Sequence, residues 1–247
     1  MSHFKKLAIA AALSVAFGTA AVASEVKWSY EGETGPEHWA SLHENFASCA
    51  GDQQSPIDIQ PSSVVDAELL PLEINWNESV DLHVANTGHG VQDNGADFGT
   101  ATINGKPYTL KQFHFHHPSE HTIDGKHFPA EAHFVHQASD GSLAVIAVLL
   151  EGGGENTVFS DSLSNVTDTV GEDVMLGNED PRDLLPDDLS FYTYRGSLTT
   201  PPCSEIVDWV IIKTPMEVSD KNIEAFAKLY SNDARPTQNL GRCYVLQ

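Results

Sequence analysis

Two short runs hold most of the side chains that could do chemistry. They are Gln112-Phe113-His114-Phe115-His116-His117-Pro118-Ser119-Glu120-His121 and Glu131-Ala132-His133-Phe134-Val135-His136. Seven of the twelve histidines fall between His114 and His136, and neutral imidazole is the commonest metal ligand among side chains. Alternate positions of a strand share a face. Gln112, His114 and His116 therefore point one way, and Phe113, Phe115 and His117 the other. Glu131, His133 and Val135 share one face of the second run. Between the runs stands Asp124-Gly125, a preferred two-residue hairpin turn. An ideal hairpin centred there pairs His116 with His133, with Cβ atoms roughly 4.5–5.5 Å apart, and sets His114 two positions along the same face. Pro118 and Pro129 interrupt the two arms, so a single bulge is enough to shift this register by one.

Three imidazoles on one wall match a catalytic zinc site, where three protein ligands at ~2.0–2.1 Å leave the fourth tetrahedral position to water. Gln and Glu on the same faces can accept the remaining ring N–H bonds. His83, His117, His121, His127 and His136 are read as ordinary core or surface histidines. No cysteine is near enough in sequence to suggest a closed structural site.

The elements that must position these residues are mainly strands. Short β-type runs recur at 80–84, 101–103, 108–115, 130–136, 143–150, 191–195 and 207–213, separated by turn residues. Helical pattern is scarce. One helix starts near Ser219 and aligns Ile223, Phe226, Ala227 and Tyr230 on one face, and a weaker one lies near Asn156 to Val166. Gly152-Gly153-Gly154 is read as a loop after a strand, because no Gly-Lys-Ser/Thr follows to make a phosphate cradle. No repeat, low-complexity tract or linker divides the chain, so one domain follows.

The chain has 247 residues, with 13 Lys+Arg against 35 Asp+Glu and a formal net charge of −22. This argues against a nucleic-acid or anionic-membrane partner, since both need clustered Lys and Arg. Lys5 and Lys6, the uncharged stretch from Leu7 to Val22 and the small-x-small signal Ala21-Val22-Ala23 read as a secretory signal peptide over 1–23, cleaved after Ala23. The mature domain would be 24–247, soluble and exported, in a compartment where disulfides persist. Cys49, Cys203 and Cys243 allow three pairings and leave one cysteine over.

The residues resemble the α-class carbonic anhydrases along essentially the whole mature chain. The resemblance rests on Trp28-x-Tyr30-x-Gly32, Gly35-Pro36-x-x-Trp39, Gln54-Ser55-Pro56-Ile57-Asp58-Ile59, Asn86-x-Gly88-His89, the two histidine runs, Leu143-Ala144-Val145 and Gly196-Ser197-Leu198-Thr199-Thr200-Pro201-Pro202-Cys203. A cysteine before Gln54 and another after Pro202 give it the look of the bacterial, periplasmic branch. The resemblance implies a mainly-β (α+β) domain, a large twisted, mostly antiparallel sheet with short peripheral helices.

It also implies a zinc enzyme that hydrates carbon dioxide reversibly to bicarbonate and a proton through a zinc-bound hydroxide. His114, His116 and His133 would be the ligands, with Gln112 and Glu131 orienting the His114 and His133 rings. Thr199 would accept from the hydroxide and donate to Glu120. Val135, Val145, Leu198 and Trp209 match the apolar wall for CO2, and Gln92 and Thr200 the polar side. His89 matches the proton shuttle. Cys49 and Cys203 match the family disulfide, leaving Cys243 without a partner, and the resemblance makes a homodimer reasonable. The rival readings are a zinc esterase or hydrolase and a catalytically inactive binding module. The presence of all three histidines counts against the latter.

Overall fold

A computed structural model describes residues 26–241 and 244–247. The expected signal peptide and Cys243 lie outside the described residues. Within them, strands β1 (Asp58–Ile59), β2 (Glu73–Trp76), β3 (Val80–Asn86), β4 (Val91–Gly95), β5 (Gly99–Ile103) and β6 (Lys106–His116) come first. Strands β7 (Thr122–Ile123), β8 (Lys126–His127), β9 (Ala130–Gln137), β10 (Leu143–Gly152), β11 (Asp173–Glu179), β12 (Phe191–Gly196) and β13 (Val207–Val218) follow. Helices α1 (Trp39–Leu42), α2 (Thr157–Asn165) and α3 (Asp220–Leu229) lie at the periphery. No helix among the described residues is long and apolar enough to cross a membrane.

One large sheet runs β11-β3-β4-β6-β9-β10-β13-β12, with β5 beside β6 and β2 beside β5. It is antiparallel except between β10 and β13. Helices α2 and α3 form where the sequence indicates, and α1 is an addition. Asn156 caps α2 by accepting the Phe159 N–H at 3.0 Å, satisfying an end donor that the helix leaves orphaned. Phe226 is the fully buried anchor of α3.

Alternation divides the sheet into two faces. Phe113, Phe115, Ala132 and Phe134 pack into one apolar cluster with Phe159 and Phe226 from the helices. The opposite face holds Val145, Ala147, Tyr194, Trp209 and Ile211 in a second cluster. The three histidines of interest belong to this second face.

The register of the histidine strands differs from the ideal hairpin. His133 pairs with His114, and His116 with Glu131. The tight turn does obey the expected register, since Thr122 pairs with His127 and Ile123 with Lys126. Between turn and sheet the chain leaves the ladder at His117-Pro118, and Ser119 takes over: its N–H donates to Phe128 O at 3.0 Å, and its Oγ accepts the Phe128 N–H at 2.9 Å. The pairing is displaced by two residues. An even displacement keeps every side chain on its face, so the three rings still converge although their opposite numbers change.

Candidate metal centre

The site is built from rows that cross the sheet. One runs Gln92, His114, His133, Ala147 and Ile211 over β4, β6, β9, β10 and β13. The next runs Asn94, Gln112, Val135, Val145, Trp209 and Tyr194, ending on β12. Directly opposed residues share a face and sit close together. This places Gln92 beside His114, and Val135, Val145 and Trp209 side by side as an apolar row next to His133. Trp209 lies 5.0 Å from the His133 ring.

His114, His116 and His133 offer ring nitrogens that all lie within 4.8 Å of one another. Each ring has its other nitrogen occupied. His114 Nδ1 meets Gln112 Oε1 at 2.9 Å, His116 Nδ1 meets Asp233 O at 2.8 Å, and His133 Nε2 meets Glu131 Oε1 at 2.8 Å. His116 Nε2 and His133 Nδ1 are buried without a hydrogen-bond partner among the described residues. A buried polar atom left unpaired is costly. Two such nitrogens facing one point, beside a third from His114, fit a tetrahedral metal with an open position.

Electrostatics agree. Burial, together with the other two rings, holds His114 well below the ordinary histidine pKa, and burial also lowers His133. Both are thereby kept as neutral ligands. At His116 burial is outweighed by the Glu120 and Asp233 carboxyls, which raise it. Glu131 is buried, yet the His121 and His133 rings hold its carboxyl well below the usual range.

His121 is not an ordinary core histidine. It is fully buried, and its Nδ1 meets Glu131 Oε1 at 2.7 Å while its Nε2 meets the Tyr194 hydroxyl at 2.8 Å. Tyr194 donates to Ser55 Oγ at 2.9 Å. A buried relay therefore runs from Ser55 through Tyr194, His121 and Glu131 to His133. Sequence reasoning also misses Asp233 and Arg235, which reach His116 and Glu120 from more than a hundred positions away.

Glu120 is fully buried, and its Oε1 accepts the Arg235 N–H at 2.9 Å. Its Oε2 lies 3.5 Å from His116 Nε2 and 3.9 Å from His133 Nδ1 and has no hydrogen-bond donor. The expected bond from Thr199 to Glu120 is therefore not formed. With Oε1 tied to Arg235, the carboxylate turns its second oxygen toward the ring nitrogens. Thr199 is buried, only 6 % exposed, and its neighbour Thr200 lines the cleft with His114 and His116. Its loop is pinned by Ser55 N–H to Ser197 Oγ at 2.9 Å and Trp209 Nε1–H to Ser197 O at 3.0 Å.

Cys49 and Cys203 form a disulfide. Both carbonyls are gripped. Arg235 donates to Cys49 O at 3.1 Å, and Gln54 to Cys203 O at 3.2 Å. Arg235 also donates to Gln54 Oε1 and Ser55 O, at 2.9 and 2.8 Å.

A cavity of about 220 Å3 opens over the cluster, lined by Trp28, Tyr30, Thr87, His89, Gly90, Gln92, Gln112, His114, Phe115, His116 and Thr200. His89, Gln92 and Thr200 thus share one cleft with two of the three clustered histidines. The His89 ring lies against Trp28, with centroids 3.7 Å apart and planes 10° apart. Val135, Val145, Leu198 and Trp209 gather in the apolar cluster beside His133. Among the other histidines, His83 pairs with Asp173 and His136 is a hydrogen-bonded core residue.

A family model described as eukaryotic-type carbonic anhydrase matches residues 34–244. The chain belongs to the α-carbonic anhydrase family. A carbonic anhydrase of Neisseria gonorrhoeae is 40% identical over 235 residues, 94% of this chain and 92% of that protein. The α-carbonic anhydrase of Thermovibrio ammonificans, solved with the inhibitor sulfanilamide, superposes with a TM-score of 0.86 at 40% identity, covering 90% of this chain and 99% of the other. The Photobacterium profundum α-carbonic anhydrase gives 0.82 at 42% identity, over 90% and 100%. These relatives and structural neighbours are carbonic anhydrases, which makes this α-carbonic anhydrase family member an enzyme of that kind.

Proposed function

We propose that this chain catalyses the reversible hydration of carbon dioxide to bicarbonate and a proton, with zinc held by His114 Nε2, His116 Nε2 and His133 Nδ1. The observation that carries this is the pair of buried, partnerless nitrogens on His116 and His133 converging with His114. Zinc bound there would supply a Lewis acid that brings the pKa of a coordinated water to ~7.

The chain's own residues supply the rest. Gln112, the Asp233 carbonyl and Glu131 each occupy the far nitrogen of a ligand ring and so fix its tautomer and aim. The Thr199 hydroxyl can accept and donate at once, and in this reading it would orient the water oxygen toward the substrate carbon, with the partnerless Glu120 Oε2 as the acceptor for its own O–H. CO2 is small and apolar, so Val135, Val145, Leu198 and Trp209 form the wall that receives it and excludes water. Gln92 and Thr200 face bicarbonate on the polar side. His89, at the cleft mouth, accepts the released proton on its ring and passes it to solvent; a group with an unperturbed pKa of ~6.5 is suited to that exchange.

In the same reading residues 1–23 direct export and are removed after Ala23, and the enzyme works in the periplasm. The disulfide is in keeping with an oxidising compartment.

Stopped-flow CO2 hydration with metal analysis tests the reading. One zinc per chain, hydration that is lost on chelation and regained with zinc, and inhibition by a sulfonamide are expected. Protein that loads zinc but cleaves only activated esters would replace it with a hydrolase, and protein that binds no metal would overturn it.

A further inference from the structure

The turn that carries His89 is held by one buried side chain. Asn86, at the end of β3 and only 5 % exposed, uses both ends of its carboxamide. Oδ1 accepts the Gly88 N–H at 2.9 Å and the Tyr230 hydroxyl, and Nδ2 donates to Thr167 O at 2.9 Å. The Asn86 carbonyl also accepts the Gly171 N–H at 2.8 Å. One residue thereby joins the turn, the end of α3 and the loop after α2.

The turn closes on itself above this anchor. Thr87 N–H and Oγ1–H both donate to Gly90 O at 3.0 Å, and Thr87 Oγ1 accepts the His89 N–H at 3.3 Å. Gly88 has φ +81°, and a Cβ there would meet Val170 Cγ1 at 3.2 Å. The backbone around His89 is left with one arrangement, provided Asn86 holds its base. An amide whose oxygen takes two donors has no equivalent in a residue that only fills space.

We infer that Asn86 is a positioning residue for proton export, fixing the 86–90 turn so that the His89 ring stays at the cleft mouth against Trp28. The inference rests on the carbonic anhydrase reading above. It separates two steps that share one cleft, since Asn86 bears on the turn carrying His89 and makes none of these bonds to the ligand histidines.

Asn86→Ala and Tyr230→Phe test it, with the full-length mature enzyme assayed by stopped flow in weak buffer and again with added imidazole. Turnover of Asn86→Ala in weak buffer is expected to fall roughly threefold to tenfold, that of Tyr230→Phe by less. In both, kcat/KM for CO2 stays at the wild-type value and imidazole restores kcat. Wild-type turnover in both variants overturns the inference, as does a joint loss of kcat and kcat/KM that imidazole leaves unrepaired. Tyr230→Phe removes a single hydroxyl and decides the matter should Asn86→Ala not fold. A wild-type protein that hydrates no CO2 overturns the enzymatic reading and this inference together, whereas an active wild type with indifferent variants overturns this inference alone.

Discussion

Trp76 donates its indole N–H to His136 Nε2 across 3.2 Å, and His136 Nδ1 donates to Phe134 O at 2.7 Å. A ring that accepts on one nitrogen and donates on the other is neutral. His136 is fully buried, and that burial pushes its pKa down to about 4, against the smaller upward pull of the Phe134 and Ala144 backbone. In the unfolded chain the value returns to ~6.5. Between these values the unfolded state binds more protons, so stability rises with pH across the window and is lost as pH falls through it. The loss should reach roughly 3 kcal/mol by the bottom of the window. Denaturant titrations from pH 7 to 4 should show a shallower acid limb in His136→Gln than in wild type. Parallel limbs would exclude His136 as the source.

Glu131 holds two rings with one carboxylate. Its Oε1 meets both His121 Nδ1 and His133 Nε2, at 2.7 and 2.8 Å, and its Oε2 accepts the His121 N–H at 2.8 Å. Removing such a partner typically costs 10–100-fold in metal affinity. Glu131→Ala should therefore bind zinc about 10–100-fold more weakly in a chelator competition, with the three ligands intact. Unchanged affinity would show that sheet packing alone orients His133.

His89→Ala should slow steady-state CO2 hydration in weak buffer and leave kcat/KM in place. Added imidazole, a diffusible substitute for the missing ring, should restore much of the rate. Equal turnover in weak buffer would remove His89 from the proton path.

The Cys49–Cys203 bridge spans 154 residues. Breaking it with Cys49→Ser and Cys203→Ser should lower unfolding free energy by about 2–5 kcal/mol, read from denaturant midpoints of oxidised wild type and variant. Arg235 and Gln54 hold the two carbonyls independently of the sulfurs, so the variant should keep most of its hydration rate at low temperature. A folded but inactive variant would assign the bridge to the site rather than to stability.

Much of this architecture can be read from the chain. The strands at 108–115, 130–136 and 143–150 are dense in apolar and aromatic residues; period-two alternation puts His114 and His116 on one face, and the even register set by the Asp124-Gly125 turn brings His133 to it. Strands β2, β4 and β11 escape, because Glu73-Ile74-Asn75-Trp76, Val91-Gln92-Asp93-Asn94-Gly95 and Asp173-Val174-Met175-Leu176-Gly177-Asn178-Glu179 mix polar and glycine residues with few β-branched ones. Their strand character comes from partners. The opposite numbers of the histidines escape because the excursion from His117 to Pro129 follows its own hydrogen bonds through Ser119. His121, Asp233 and Arg235 escape for a plainer reason: each acts through a contact between segments far apart in sequence, which no local pattern records.

The backbone contacts from Asp233 and Arg235 bear on how the protein comes into being. All three ligands have been synthesised once residue 133 is made, but the carbonyl that fixes His116 and the N–H that holds Glu120 arrive a hundred residues later. A nascent or truncated chain that stops short of Asp233 carries all three proposed ligand rings and no finished pocket. Ripening of the pocket is thereby deferred to the last stretch of the polypeptide.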